Sequence, residues 1–410
     1  MSEIKQGYKQ TKVGIIPEDW EVVKLGNICK FYKGKGISKE NLSEEGIPCI
    51  RYGELYTTYN EKIDNVFSKT NVDIKELFLS KSNDIIIPAS GETAIDIATA
   101  SCVLHDNIAL SGDLNVIRIK ENGIFLSYYL NVVAKHRIAS IAQGVSVVHL
   151  YSSQLENLFL SLPPIKEQEK IAEILTTWDE AITKQTELLE AKELQKKALM
   201  QKLLSGEVRF NGFDDEWQEI KLKDILTEHG TKSDGKCEVH SVSVAKGLIN
   251  QIEHLGRSYA AEDTSNYNLV KPFDIVYTKS PTGNFPYGIV KQNLNSYSGI
   301  VSPLYGVFTP KNEFIGYILH LFFESPIRTG NYLGPIVQKG AKNTMSITNK
   351  TFLSKSIKLP RNEEEQEKIV QLLKAMTKEV ELLQQELKEL KLQKKALMQK
   401  LLTGEVRVKV

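Results

Sequence analysis

The chain has 410 residues, 41% hydrophobic and 25% charged, an ordinary globular balance with length enough for two or three packed domains. No apolar run approaches the roughly 18 residues of a membrane span. The N-terminus, Met1–Lys12, has no apolar stretch after its lysines and so is no secretory signal, which makes the cytoplasm the expected location. The four cysteines (Cys29, Cys49, Cys102, Cys237) are scattered, which argues against a disulfide framework or a zinc ribbon. His229, Cys237 and His240 fit no common zinc spacing, and no metal is expected. The net charge of +1 is not that of a free-standing nucleic-acid binder. Its distribution is uneven: residues 17–160 carry 14 Lys/Arg against 18 Asp/Glu, and residues 217–358 carry 16 against 11. A nucleic-acid surface on the first part must therefore be a local patch.

Taken in chain order, Trp20 and Lys24-Leu25 open a mixed region with strand candidates Asp84–Pro88 and Asn115–Ile119, and a helical candidate over Ile124–Ala139. Its polar turns interleave cations and aromatics: Tyr32-Lys33-Gly34-Lys35, Arg51-Tyr52, Ser90-Gly91-Glu92-Thr93, and Gln143 to His149 with Ser146 between them. Small residues let backbone amides approach phosphate, and Arg, Lys and Gln match base edges. Leu162-Pro163 then precedes a long helical segment. Proline near the first turn and the acidic run Glu167–Glu169 suit a helix start, and Ser205-Gly206 supplies a stop.

Trp217 opens the second mixed region, with strand candidates Asp274–Thr278 and Tyr305–Phe308 and a helical candidate over Phe314–Phe323. Its corresponding turns hold Lys246, Arg257, Lys279, Ser280, Thr282, Asn284, Lys339, Lys342 and Asn343. After Leu359-Pro360 comes a second helix with apolar residues every 3.5 positions: Ile369, Leu373, Met376, Val380, Leu383, Leu387, Leu390, Leu397 and Leu401, broken only by Lys394. The first helix keeps this seam less well, with Gln185, Lys192 and Lys196 at seam positions. These either set register or mark a solvated face.

The chain is an internal repeat. Leu194–Arg209 (LQKKALMQKLLSGEVR) and Leu392–Arg407 (LQKKALMQKLLTGEVR) agree at fifteen of sixteen positions. Leu162–Leu175 corresponds to Leu359–Leu373, and Asp215–Ile225 to Glu18–Ile28. The chain begins in the middle of a repeat unit, so the arrangement is cyclic and implies a pseudo-two-fold axis. The residues between share little beyond Ala142–Leu155 against Gln338–Leu353. The expected architecture is mixed α+β: two globular α/β domains separated by two long antiparallel coiled-coil helices. Its parts are residues 1–160, a helix over 161–207, residues 208–358, and a second helix with the tail over 359–410. Thirty-six residues of helix reach about 54 Å. That length makes a spacer, and a spacer implies two objects whose separation matters.

No P-loop, Asn/Asp-Pro-Pro-aromatic, G-x-S-x-G or H-E-x-x-H element occurs. Asp73-Ile74-Lys75 and Glu219-Ile220-Lys221 are carboxylate-x-Lys triplets, too common by chance to mark a nuclease. A reader and scaffold is the leading class, with a protein-only coiled-coil adaptor as the alternative and a nuclease behind it.

The Trp-x-x-x-Lys-Leu entries at Trp20 and Trp217, the Leu162–Leu175 and Leu359–Leu373 pair, and the segments ending at Arg209 and Arg407 together resemble the specificity subunit of type I restriction–modification systems. The resemblance covers nearly the whole chain. It implies that each mixed domain is a target recognition domain reading one half of an asymmetric, interrupted site in double-stranded DNA. It further implies that the helices dock two modification subunits that carry S-adenosylmethionine and methylate adenine, that motor-nuclease subunits join for cleavage, and that this chain is non-catalytic with no cofactor of its own.

Overall fold

The computed structural model describes residues 4–233, 235–339 and 345–410. They form two compact units, residues 1–188 with 384–410 and residues 189–383, so each long helix gives one half to each unit.

In the first unit a five-stranded sheet runs in the order Cys29–Lys33, Leu114–Ile119, Asp84–Pro88, Ser101–Val103, Lys62–Ile63. The central strand Asp84–Pro88 is buried at every residue, as its unbroken Ile-Ile-Ile run requires. A smaller four-stranded sheet holds Ala109–Leu110, Ile47–Ile50, Ser68–Thr70 and Leu42–Ser43. The sequence pattern predicts one helix over Ile124–Ala139; the chain instead forms Gly123–Val132 and Lys135–Ile141. The break follows Val132-Val133, whose β-branched side chains are stiff in a helix, and the turn at Ala134 sends Ile138 into the core.

The second unit has a four-stranded sheet in the order Leu226–Glu228, Gly306–Pro310, Ile275–Tyr277, Val290–Gln292, with helices Glu313–Phe322 and Pro326–Leu333 beside it. Its first three strands repeat the antiparallel order of Cys29–Lys33, Leu114–Ile119 and Asp84–Pro88. The two inserts thus share more than their sequences showed. Lys81-Ser-Asn-Asp84 and Lys271-Pro-Phe-Asp274 form the same turn, with positive φ at Asn83 (75°) and Phe273 (70°). In each, the aspartate accepts the backbone N–H of the lysine, at 2.8 and 2.7 Å. The shared signal is a lysine and an aspartate three apart before an apolar strand, too short to stand out in a comparison of whole inserts.

The long helices run over Ile165–Ser205 and Glu363–Leu402. In the first unit they are antiparallel: Asp179 meets Lys394, and Gln185 Nε2 donates to Glu386 at 2.9 Å. In the second unit Lys192 Nζ lies 2.7 Å from Glu379. Gln185 and Lys192 are therefore paired seam positions that tie register to charge.

The duplicated residues close two matching joints. In the first unit the buried Glu167 carboxylate accepts the Trp20 indole N–H at 3.2 Å and two N–H groups of Arg407 at 2.8 Å each. In the second, Glu365 accepts Trp217 at 3.2 Å and Arg209 at 2.8 and 2.9 Å. Behind each glutamate a glutamine donates to the carbonyl of the entry proline, Gln168 to Pro163 and Gln366 to Pro360. The same glutamines accept from Asn122 and Asn312, the caps of the helices Gly123–Val132 and Glu313–Phe322. Leu401 and Leu402 enter the first core, and Leu203 and Leu204 the second. Each unit is thus closed by the start of one long helix and the end of the other.

Candidate nucleic-acid interface

In the first unit the expected residues converge on the ends of the sheet strands. Lys33 is the last residue of Cys29–Lys33. The next residue, Gly34, runs so close to the Ser111 carbonyl that a Cβ would stand 1.9 Å from its oxygen, so only glycine fits. This approach ties Lys33 and Lys35, both exposed, to the Leu110–Ser111 turn, where the Lys35 N–H donates to Leu110 at 2.9 Å. Arg51 and Tyr52 follow the strand Ile47–Ile50; the Arg51 N–H donates to the Glu54 carboxylate at 2.7 Å. Tyr52 packs edge-on against Tyr56, whose hydroxyl donates to the Ser90 carbonyl at 3.2 Å. Burial pushes the Tyr56 phenol above its usual range, so the group stays a neutral donor.

Ser90 and Gly91 pair with His149 and Val148. Gln143 and His149 exchange backbone hydrogen bonds of 2.9 and 2.7 Å, which closes a hairpin that presents Val145, Ser146 and Val147 to solvent. Glu92 is exposed, and Thr93 is occupied as a cap, accepting the Asp96 N–H at 3.2 Å. Lys33, His149 and Asn115 line a cavity of about 330 Å³; Arg51, Tyr52 and Lys39 line a second of about 700 Å³, and Asp113 borders both. The structure therefore gathers Lys33, Arg51, Tyr52, Ser90 and His149 into one region. It adds Lys39, Ser111 and Asp113, which the sequence reading missed because only the fold brings residues 39, 51 and 111–113 together.

In the second unit Lys246 is exposed on the tight turn between His240–Ser243 and Gly247–Asn250. Lys279 follows the central strand at a φ of 60°, and burial lowers the pKa of its ammonium against the opposing pull of Glu228. Ser280, Thr282 and Asn284 are exposed on the next loop, pinned by Thr282 and Phe285 exchanging backbone hydrogen bonds of 3.0 and 2.9 Å. Arg257 stacks on Tyr259, its guanidinium 4.6 Å from the ring centre. Lys339 belongs to a strand, Gln338–Lys339, antiparallel to Met345–Ser346, while Lys342 and Asn343 lie outside the described residues.

Two of the three residues weighed as metal ligands, His229 and His240, have separate partners. His229 Nε2 lies 2.9 Å from Asp274, and the buried His240 turns Nδ1 to the Glu238 carbonyl. Among the described residues, no group of three or more His, Cys, Asp or Glu is arranged to hold a metal. Asp73, of the first carboxylate-x-Lys triplet, caps the short helix Ile74–Glu76 through the Lys75 N–H. No helix among the described residues is long and apolar enough to cross a membrane.

Comparison with known proteins accounts for this plan. The family described as type I restriction modification DNA specificity domain matches twice, over residues 17–193 and 214–392. The chain is 26% identical to the type I restriction enzyme MjaVIII specificity subunit of Methanocaldococcus jannaschii, over 99% of this chain and 97% of that protein. Its fold is similar to that of the type I restriction-modification S subunit from M. genitalium, with TM-score 0.58 and 15% identity over 97% of each chain. It is also similar to the HsdS subunit from Thermoanaerobacter tengcongensis, with TM-score 0.51 and 18% identity over 95% of this chain and 98% of that one. Two family matches, one on each half of a duplicated frame, place the chain in the type I restriction–modification specificity family, as a specificity subunit with two target recognition domains.

Proposed function

We propose that this chain is the non-catalytic DNA reader of a type I restriction–modification complex, each recognition domain reading one half of an asymmetric, interrupted duplex site. The observation that carries this is the contrast between the joints and the loops. Glu167 and Glu365 hold the same pair of partners with nearly the same distances, while the loops that end the sheet strands differ at most of the expected contact positions, Ser90 and Ser280 being an exception. A frame kept twice with two different reading faces is what an asymmetric site needs.

In this reading the recognition domains run over residues 1–160 and 208–358, and the helices set the gap between half-sites and dock two adenine methyltransferase subunits. S-adenosylmethionine belongs to those partners, motor-nuclease subunits join for cleavage, and the assembly works in the cytoplasm. The side chains at Lys33, Lys35, Arg51, Tyr52, Ser90, Glu92, Thr93, Gln143, Ser146 and His149 contact the first half-site; those at Lys246, Lys279, Ser280, Thr282, Asn284, Lys339, Lys342 and Asn343 contact the second. A solved structure concerned with complex assembly of the type I R-M system, similar in fold with TM-score 0.53, supports a reading in which the chain acts within an assembly.

The test is to co-express the chain with its methyltransferase partner and map modified adenines. A two-part motif with a fixed gap is expected, with duplex binding that weakens steeply as salt rises. Methylation without a two-part motif would end this reading.

A further inference from the structure

Resting on the reading above, we infer that the cavity beside Arg51 in the first recognition domain is a built pocket for one G·C base pair of its half-site, with Arg51 and Asp113 as the specificity-determining residues.

The cavity holds about 700 Å³ and is walled by the Gly36–Asn41 loop, the Arg51–Gly53 turn and the Ser111–Asp113 turn. Ser111 Oγ, in a residue 2% exposed, and Arg51 Nε are buried without a hydrogen-bond partner in two of the residues that line it. Lys39, Arg51 and Asp113 put charge on its walls, so it suits a polar occupant. The surroundings are rigid. Gly34 presses on the Ser111 carbonyl, the Ser111 N–H donates to Ile50 at 3.0 Å, and the Arg51 N–H is held by Glu54. Arg51 and Asp113 both line it, so the cavity is bordered by one guanidinium and one carboxylate.

That combination selects the occupant. A guanidinium fork donates to guanine O6 and N7, and a carboxylate accepts from the cytosine N4 amino group, so together they match the major-groove edge of a G·C pair. A phosphate would satisfy Arg51 but would be driven from Asp113 by like charge. Lys33, Lys35 and Lys39 remain exposed around this region to meet the backbone, the local basic patch that the domain's net negative charge demands.

The test uses the full chain in complex with its methyltransferase partner. Modified sites are mapped, and binding is measured on duplexes with each half-site position exchanged. The wild-type complex is expected to prefer G·C at one position of one half-site by about ten- to a hundredfold. Arg51→Gln and Asp113→Asn should relax that position alone. Arg51→Lys keeps the charge while losing the fork, and should do the same without loss of overall affinity, even if Arg51→Gln folds poorly. A motif unchanged by Arg51→Lys and Asp113→Asn overturns the inference. So does uniform weakening on all sequences with a shallower salt dependence, which marks a phosphate contact. A wild-type complex with no two-part motif removes the family reading as well, whereas an intact motif indifferent to the variants removes only the pocket.

Discussion

The two joints of this chain match closely, while the loops at the ends of its two sheets do not. Trp20, Glu167 and Arg407 in one unit repeat as Trp217, Glu365 and Arg209 in the other, although Trp20 shares its carboxylate oxygen with Arg407 Nη2, Trp217 shares its own with Arg209 Nε, and Arg407 also holds Asp19. The turns that end the sheet strands instead present Arg51 and Asp113 in one unit and Lys279 to Asn284 in the other. Deeper in each insert the lysine–aspartate turn survives but its partners change: Asp84 is held by Arg118, and Asp274 by His229 and Thr309. The two copies agree best where both perform the same mechanical task.

Breaking the joints should have the largest effect. Trp20 is fully buried with its N–H bonded, and Trp20→Ala is expected to cost about 3–5 kcal/mol in urea unfolding. Glu167→Ala should cost about 2–4 kcal/mol, because it strands the indole N–H and leaves Arg407 with only Asp19. If the joints are equivalent, Trp217→Ala and Glu365→Ala fall beside them, and a joint whose variants are silent is not part of the frame.

The next test separates the joints. Gly206 and Gly404 end the helices with φ of 73° and 74°, a left-handed conformation that costs alanine about 1 kcal/mol. A Cβ at Gly404 would also stand 2.5 Å from Pro17, against 3.2 Å from Trp217 at Gly206. Gly404→Ala should therefore destabilise more than Gly206→Ala, by roughly a further 1 kcal/mol. Equal losses would mean that Pro17 yields freely.

A further effect, confined to low pH, concerns one unit alone. In the second unit Glu324 lies 3.0 Å from the buried Lys291 and 3.3 Å from His320. Burial raises its pKa, but the His320 hydrogen bond and the Lys291 charge win and hold it at about 2 rather than 4.5. A carboxylate depressed in the folded state adds stability that is complete above pH 4.5 and is lost as the pH falls towards 2. With its side chain 35% exposed and screened, the loss should be about 1–2 kcal/mol. Glu324→Gln should flatten that part of the stability–pH curve; a curve of the same slope would show that the triad does not titrate as one.

The frame was legible because its chemistry is periodic and repeated. Helix starts at Leu-Pro, stops at Gly206 and Gly404, and the seam from Ile369 to Leu401 come from local rules, and the helices lie within a few residues of the expected bounds. The joints were present in the repeated Trp, Glu and Arg, yet nothing local says that Glu167 meets an arginine 240 residues away. The inserts were least legible. Strands of three to six residues carry weak periodicity, and the Ile124–Ala139 segment reads as one helix until the core claims Ile138. Arg51 and His149 stood out as cation and aromatic in polar turns. Ser111 and Asp113 could not, since their meaning comes from a strand end brought beside them by the glycine at 34.

The direct measurement is the motif methylated when the second insert, residues 226–355, is replaced by a second copy of residues 29–158, both joints being kept. If symmetry belongs to the frame and sequence choice to the inserts, the motif should become an inverted repeat of the first half-site with its gap nearly unchanged. A motif that retains the original second half-site would contradict this division of labour.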